Sequence, residues 1–191
     1  MRSYMGRLVA LFETVDGAAL NRVVQLLEDA RSGGKTVFLA GNGGSAATAA
    51  HWANDLNKAT KGKGADAMRV VNLTDNIPWL TALANDEGYE RVFREQVDNL
   101  AVPGDLLVVI SASGNSANLI QAVELARSRA VTSAALLGFD GGALRGLVDV
   151  PLLAATEVGA YGLAESCHSL LCDIITECLI LSAPLGNGAA S

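Results

Sequence analysis

The chain has 191 residues, half of them apolar and only 5% aromatic, with a formal net charge of −6 at pH 7. It is long enough for one sizeable core, and the aliphatic, alanine-rich balance suits alternating strands and helices. An acidic chain of mixed sign lacks the basic stripe of a nucleic-acid surface, and no apolar run approaches membrane-spanning length, so a cytoplasmic protein without nucleic-acid or membrane partners is expected.

From about Gly6 to Ala30, residues Leu8, Leu11, Val15, Leu20, Val23, Val24, Leu26 and Leu27 recur at helical spacing. One or two helices are expected there, broken near Asp16-Gly17 and closed by the turn at 31–34. The apolar run 36–40 then reads as a strand, and it empties through Gly41-Asn42-Gly43-Gly44-Ser45 into a helix-prone stretch at about 45–57. A strand that turns through consecutive glycines into a helix leaves unpaired N–H groups and the positive end of a helix dipole facing one spot, which attracts an anion.

Beyond a lysine- and glycine-spaced stretch at Lys58, Lys61 and Lys63, read as a solvated loop, a strand is expected at about 68–73. Pro78 opens a helical segment running into Asn85-Asp86-Glu87-Gly88, and a further helix is expected from Tyr89 to Leu100. Residues 105–110 read as a buried strand that turns through Ser111-Ala112-Ser113-Gly114-Asn115-Ser116 into a helix at about 116–129. Its serines and asparagine can add side-chain donors to the backbone ones, which suits a phosphate or a polyhydroxylated ligand; the plainer reading makes Ser116 an N-cap and the glycines turn residues. Two such corners in one small domain favour the ligand.

A strand at 132–138, a turn at Asp140-Gly141-Gly142, a short strand at about 148–153 and a final helix at 161–182 complete the pattern. The alternation predicts an α/β fold with a doubly wound, mostly parallel five-stranded sheet, preceded by a helical segment at 1–34. Residues 1–183 read as one domain and 184–191 as a frayed tail. Both loops then sit at strand carboxyl ends, where open α/β sheets bind ligands. Cys167, Cys172 and Cys178 share one predicted helix at spacings that suit neither a disulfide framework nor a zinc knuckle, so they read as small apolar residues in a reducing compartment.

Gly41-Asn42-Gly43-Gly44-Ser45-Ala46-Ala47, Leu73-Thr74-Asp75-Asn76, Ala84-Asn85-Asp86, Pro103-Gly104-Asp105 and the stretch Ser111 to Asn118 follow one another in an order that resembles the sugar isomerase (SIS) fold. Within it, the chain most resembles the phosphoheptose isomerases, which convert sedoheptulose 7-phosphate to a glycero-manno-heptose 7-phosphate. The likeness runs from about residue 35 to 180. It implies an N-terminal helical segment used in a homotetramer with active sites shared between subunits. It also implies substrate contacts at Asn42, Gly43, Gly44, Ser45, Asp55, Asn85, Asp86, Ser111, Ala112, Ser113, Ser116 and Glu165.

The chain has only two histidines, His51 and His168. His51 and Asp55 stand at i and i+4 on the helix leaving the first corner, and Glu165 and His168 at i and i+3 on the last helix, with Asp173 on a nearby face. Aldose–ketose isomerisation needs such a set: a base, an acid, and a positive group for the developing oxyanion, a role open to a divalent metal. The resemblance carries zinc ligation onto His51, Asp55, Glu165 and Asp173, with Asp55 and Asp173 also placed for proton transfer. Three of these four positions depart from the family pattern: a shorter acid at 55, Glu165 for glutamine and Asp173 for histidine. Crowded carboxylates raise the pKa of one of them, which would suit Asp173 as an acid, and His168 is an alternative proton carrier that titrates near neutrality.

The sequence reading is therefore a sugar-phosphate isomerase of the phosphoheptose type. A non-enzymatic SIS module that binds a sugar phosphate or a partner such as a replication initiator is one alternative. An isomerase for a different sugar phosphate is another.

Overall fold

The computed structural model describes residues 2–60 and 67–182 of the chain. Lys61, Lys63 and the 184–191 tail lie outside the described residues. The elements run α1 (Arg2–Glu13), α2 (Gly17–Ser32), β1 (Thr36–Gly41), α3 (Gly44–Lys58), β2 (Arg69–Asn72), α4 (Ile77–Asp86), a 3-10 turn (Tyr89–Arg91), α5 (Arg94–Leu100), β3 (Leu106–Ser111), α6 (Ala117–Ser128), β4 (Thr132–Leu137), α7 (Leu144–Leu147), β5 (Val150–Leu153) and α8 (Tyr161–Ser182). The N-terminal helical segment divides at Asp16, whose carboxylate caps α2 by accepting from the Ala18 N–H at 2.8 Å.

Among the described residues the five strands are all parallel, in the order β2-β1-β3-β4-β5. Winding leaves β1 in one direction towards β2 and in the other towards β3. The loops after β1 and β3 therefore meet at the switch point where such sheets hold ligands. Alternation along the strands feeds two cores. Val37 and Leu39 of β1 and Leu106, Val108 and Ile110 of β3 pack with α2, α3 and α8, while Phe38, Ala40, Leu107 and Val109 pack with α5 and α6. These central strands are buried on both faces, which is why they read as continuous aliphatic runs.

Buried polar groups hold the layers in place. The Asp105 carboxylate, 2% exposed, accepts from the Thr36 N–H at 2.9 Å and the Val102 N–H at 2.9 Å, so it ties the start of β1 to the start of β3. On the other side of the sheet, Trp52 Nε1 of α3 donates to Thr176 Oγ1 of α8 at 3.1 Å, deep in the core. That bond fixes how the two helices face each other.

The expected helix from Tyr89 to Leu100 is instead a 3-10 turn followed by α5. Val92 and Phe93, which join the two, are both fully buried.

Candidate active site

The corner after β3 is shaped by its own side chains. Ser111 Oγ accepts from the Gly114 N–H at 3.0 Å, Ser113 Oγ accepts from the Asn115 N–H at 3.3 Å, and Asn115 Oδ1 accepts from the Ala143 N–H at 2.9 Å. In each of these serines the oxygen is engaged and the O–H hydrogen is left to donate. Gly114 has φ +65, and a Cβ there would stand 1.9 Å from the Gly141 carbonyl oxygen, so only glycine lets the loop close against the Asp140–Gly142 turn. Ser116 occupies the N-cap position of α6 but makes no side-chain cap bond. Its hydroxyl instead joins Asn42, Ser45, Ser111, Ala112, Ser113, Tyr161 and Glu165 around a cavity of about 180 Å³.

Glu165 reaches that cavity from the second turn of α8. Its carboxylate lies against Gly44, where a Cβ would stand 2.6 Å from Oε1, so the glycine at the start of α3 makes room for an acid from another helix.

The second cluster lies farther along the same two helices. His51 Nε2 is 3.2 Å from Asp55 Oδ2, and ligand atoms of His51, Asp55 and Asp173 all lie within 4.8 Å of one another. At 1.5 Å per residue, Asp55 stands about 16 Å along the α3 axis from Gly44, and Asp173 about 12 Å along α8 from Glu165. The Trp52–Thr176 bond joins α3 and α8 at the level of this cluster, one residue after His51 and three after Asp173. One imidazole and two carboxylates converging on one point suit a divalent cation of the zinc class with a coordination position left open. Glu165 does not join this group; it stands just over two helical turns from Asp173 along α8, in the serine cavity.

A model of the SIS domain family matches residues 2–138. The phosphoheptose isomerase of Trichlorobacter lovleyi is 36% identical to this chain over 88% of each. The chain belongs to the phosphoheptose isomerase family. Among solved structures, phosphoheptose isomerase GmhA from Neisseria gonorrhoeae matches with a TM-score of 0.83 and 30% identity, covering 93% of this chain and 95% of that one. The lincomycin biosynthesis protein LmbN of Streptomyces lincolnensis is 42% identical over 80% of this chain, which spans 58% of that protein.

Of the residues expected to meet substrate, Asn42, Ser45, Ser111, Ala112, Ser113, Ser116 and Glu165 share the serine cavity. Gly43 and Gly44 form the turn beside it. Asn85 and Asp86 end α4, exposed and bonded to each other at 2.7 Å. Asp55 lies in the acidic cluster.

His168, expected as an alternative proton carrier, sits in the core. Its ring is fully buried, neither nitrogen has a well-formed hydrogen bond, and it makes no pair with Glu165. Burial pulls its pKa down, and the nearby Leu137 carbonyl offsets this only in part. The imidazole lies in the core, outside the residues that line the serine cavity and outside the His51–Asp55–Asp173 group.

The cysteines are free, as the spacing implied. Burial pushes the Cys167 thiol up to about 11 and Cys172 well above its ordinary value, with Asp173 and Asp55 adding to the latter. Burial thus disfavours the thiolate form at both.

Tyr161 was missed from sequence. It stands four residues before Glu165 on one face of α8 and packs edge-on against Phe139, with ring centroids 5.0 Å apart. That spacing was the available signal.

Proposed function

We propose that this protein is an aldose–ketose isomerase acting on a sugar phosphate, with sedoheptulose 7-phosphate converted to the glycero-manno-heptose 7-phosphate through an enediol. The observation that carries this reading is the pairing of a donor-lined cavity at the strand ends with an acidic cluster on the same two helices. Family membership supports it. The serine hydroxyls and the free N–H groups of the α3 and α6 first turns take the phosphate and neighbouring oxygens. The carbon chain then runs along α3 towards Asp55 and Asp173.

In the forward direction the Asp55 carboxylate takes a proton from C1 and the Asp173 carboxylate carries the O1 proton across to the C2 oxygen. Asp55 then returns its proton to C2, which leaves the aldehyde at C1. Held by His51, Asp55 and Asp173, a zinc ion would supply electrophilic stabilisation to the oxygen that gains charge. Purified protein given sedoheptulose 7-phosphate should form the aldose; no turnover with or without zinc would sink the reading.

We further read residues 1–183 as one SIS domain in a cytoplasmic homotetramer with shared active sites. The oligomer is tested by sedimentation.

A different sugar phosphate is the second reading, favoured by Glu165. A carboxylate in an anion-binding cavity changes what fits beside it, and one relative bears the name of an antibiotic biosynthesis protein. A panel of ketose phosphates separates the two readings.

A further inference from the structure

Asn42 leaves the end of β1 at the cavity wall, and two residues outside the substrate set hold its side chain. Asn42 Nδ2 donates to Asn118 Oδ1 at 3.0 Å, and Asn118 Nδ2 donates back to Asn42 Oδ1 at 2.9 Å. The Tyr89 hydroxyl donates to the same Asn42 Oδ1 at 2.9 Å. An asparagine amide has two N–H hydrogens and one carbonyl with two lone pairs. Two incoming donors fill the carbonyl and the bond to Asn118 uses one N–H. One N–H remains, on a residue that lines the cavity beside Ser111, Ser113 and Ser116.

We propose that Asn118 and Tyr89 are positioning residues that make Asn42 a donor-only contact, so that its free N–H meets an oxygen acceptor on the ligand, from either the phosphate or the sugar. With its carbonyl saturated, Asn42 cannot accept from a sugar hydroxyl, and its amide cannot turn over without breaking three bonds. The same node ties together three segments: the corner after β1, the first turn of α6, and the 3-10 turn that follows α4. Asn118 is 3% exposed, so its reciprocal pair is shielded from competing water and holds the two corners at a fixed separation. Tyr89 is 53% exposed and reaches the node from the surface with its hydroxyl, so it acts as a detachable tie. The identity of the ligand rests on the sugar-phosphate reading above; the locking of the loops does not.

Two full-length variants test this. Tyr89→Phe removes only the hydroxyl, and Asn118→Asp keeps the shape but replaces a donor with an acceptor. By calorimetry, Tyr89→Phe should weaken binding of sedoheptulose 7-phosphate by about two- to tenfold, the range of one hydrogen bond. KM should rise in step, with a smaller effect on kcat and an unchanged melting temperature. Asn118→Asp should weaken binding by more than about tenfold, since it loses the return bond and adds a charge beside an anion. If inorganic phosphate, used as a second probe, weakens in parallel, Asn42 meets the phosphate; if only the sugar phosphate weakens, it meets a sugar oxygen. Hydrogen exchange on the unliganded protein should quicken at amides 42–47 in Tyr89→Phe, and at both corners in Asn118→Asp.

A merely structural role would lower the melting temperature of Tyr89→Phe together with its affinity, and that result overturns the proposal. So do wild-type affinities and exchange rates in Tyr89→Phe, whether or not Asn118→Asp folds. Absence of turnover in the wild type removes the isomerase reading, and the phosphate and exchange measurements then decide the positioning role.

Discussion

The serine cavity and the acidic cluster draw on the same two helices, yet they are built in different ways. The cavity sits at the carboxyl ends of β1 and β3, its donors are backbone N–H groups and short hydroxyls, and its shape depends on glycines that admit no Cβ. The cluster consists of side chains projecting from helix faces, with His51 63% exposed and Asp55 26% exposed. No backbone bond depends on it. The cavity is thus part of the fold, whereas the cluster is an attachment to it. Substitutions should divide accordingly into those that disturb binding and stability together and those that remove chemistry alone.

Asp55→Asn is the sharpest way to test that division. Losing the proposed proton carrier should lower kcat by about 10²- to 10⁴-fold, while a partly exposed carboxylate leaves the melting temperature within about a degree or two of the wild type. A large fall in stability would show that the cluster is structural. Metal removal comes next: dialysis against a chelator should abolish most activity and added zinc restore it, and Asp173→Asn should weaken zinc binding measured directly. Activity indifferent to chelation would leave the cluster as an acid–base pair only.

Gly114→Ala probes the cavity from the fold side. The new Cβ meets the Gly141 carbonyl and φ is positive, so stability should fall by about 1–3 kcal/mol together with ligand affinity, read by urea unfolding and calorimetry. Ser116→Ala is gentler. Because its hydroxyl makes no cap bond, stability should hold while KM rises about two- to tenfold.

The smallest effect concerns His168. Burial holds it neutral in the native state, so the unfolded chain takes up its proton first as pH falls through the ordinary histidine value near ~6.5. Stability should therefore drop below that pH, and His168→Gln should flatten the slope in urea midpoints. An unaltered slope would assign it to other groups.

The two histidines show what could be read from the chain and what could not. Spacing at i and i+4 placed His51 and Asp55 together, and they meet at 3.2 Å because both project from the outer face of one helix. The same kind of argument paired Glu165 with His168, and they do not meet. On α8, which packs against α1, α2, α3 and the sheet, helical spacing says that two residues share a side but not what that side faces. His168 turned into the core beside the end of β4. Glu165 turned to the glycine of a helix some 120 residues earlier in the chain.

The strands, their parallel alternation, both ligand corners and the extent of α8 were all set locally, by aliphatic runs, glycine-rich turns and helix boundaries. Three outcomes belonged to the tertiary structure alone: the seating of Glu165 against Gly44, the sealing of His168, and the bonding of Asn42 to Asn118 and Tyr89. Each depends on how far one element slides or turns against another, and packing across the sheet decides that, as no nearest-neighbour pattern can.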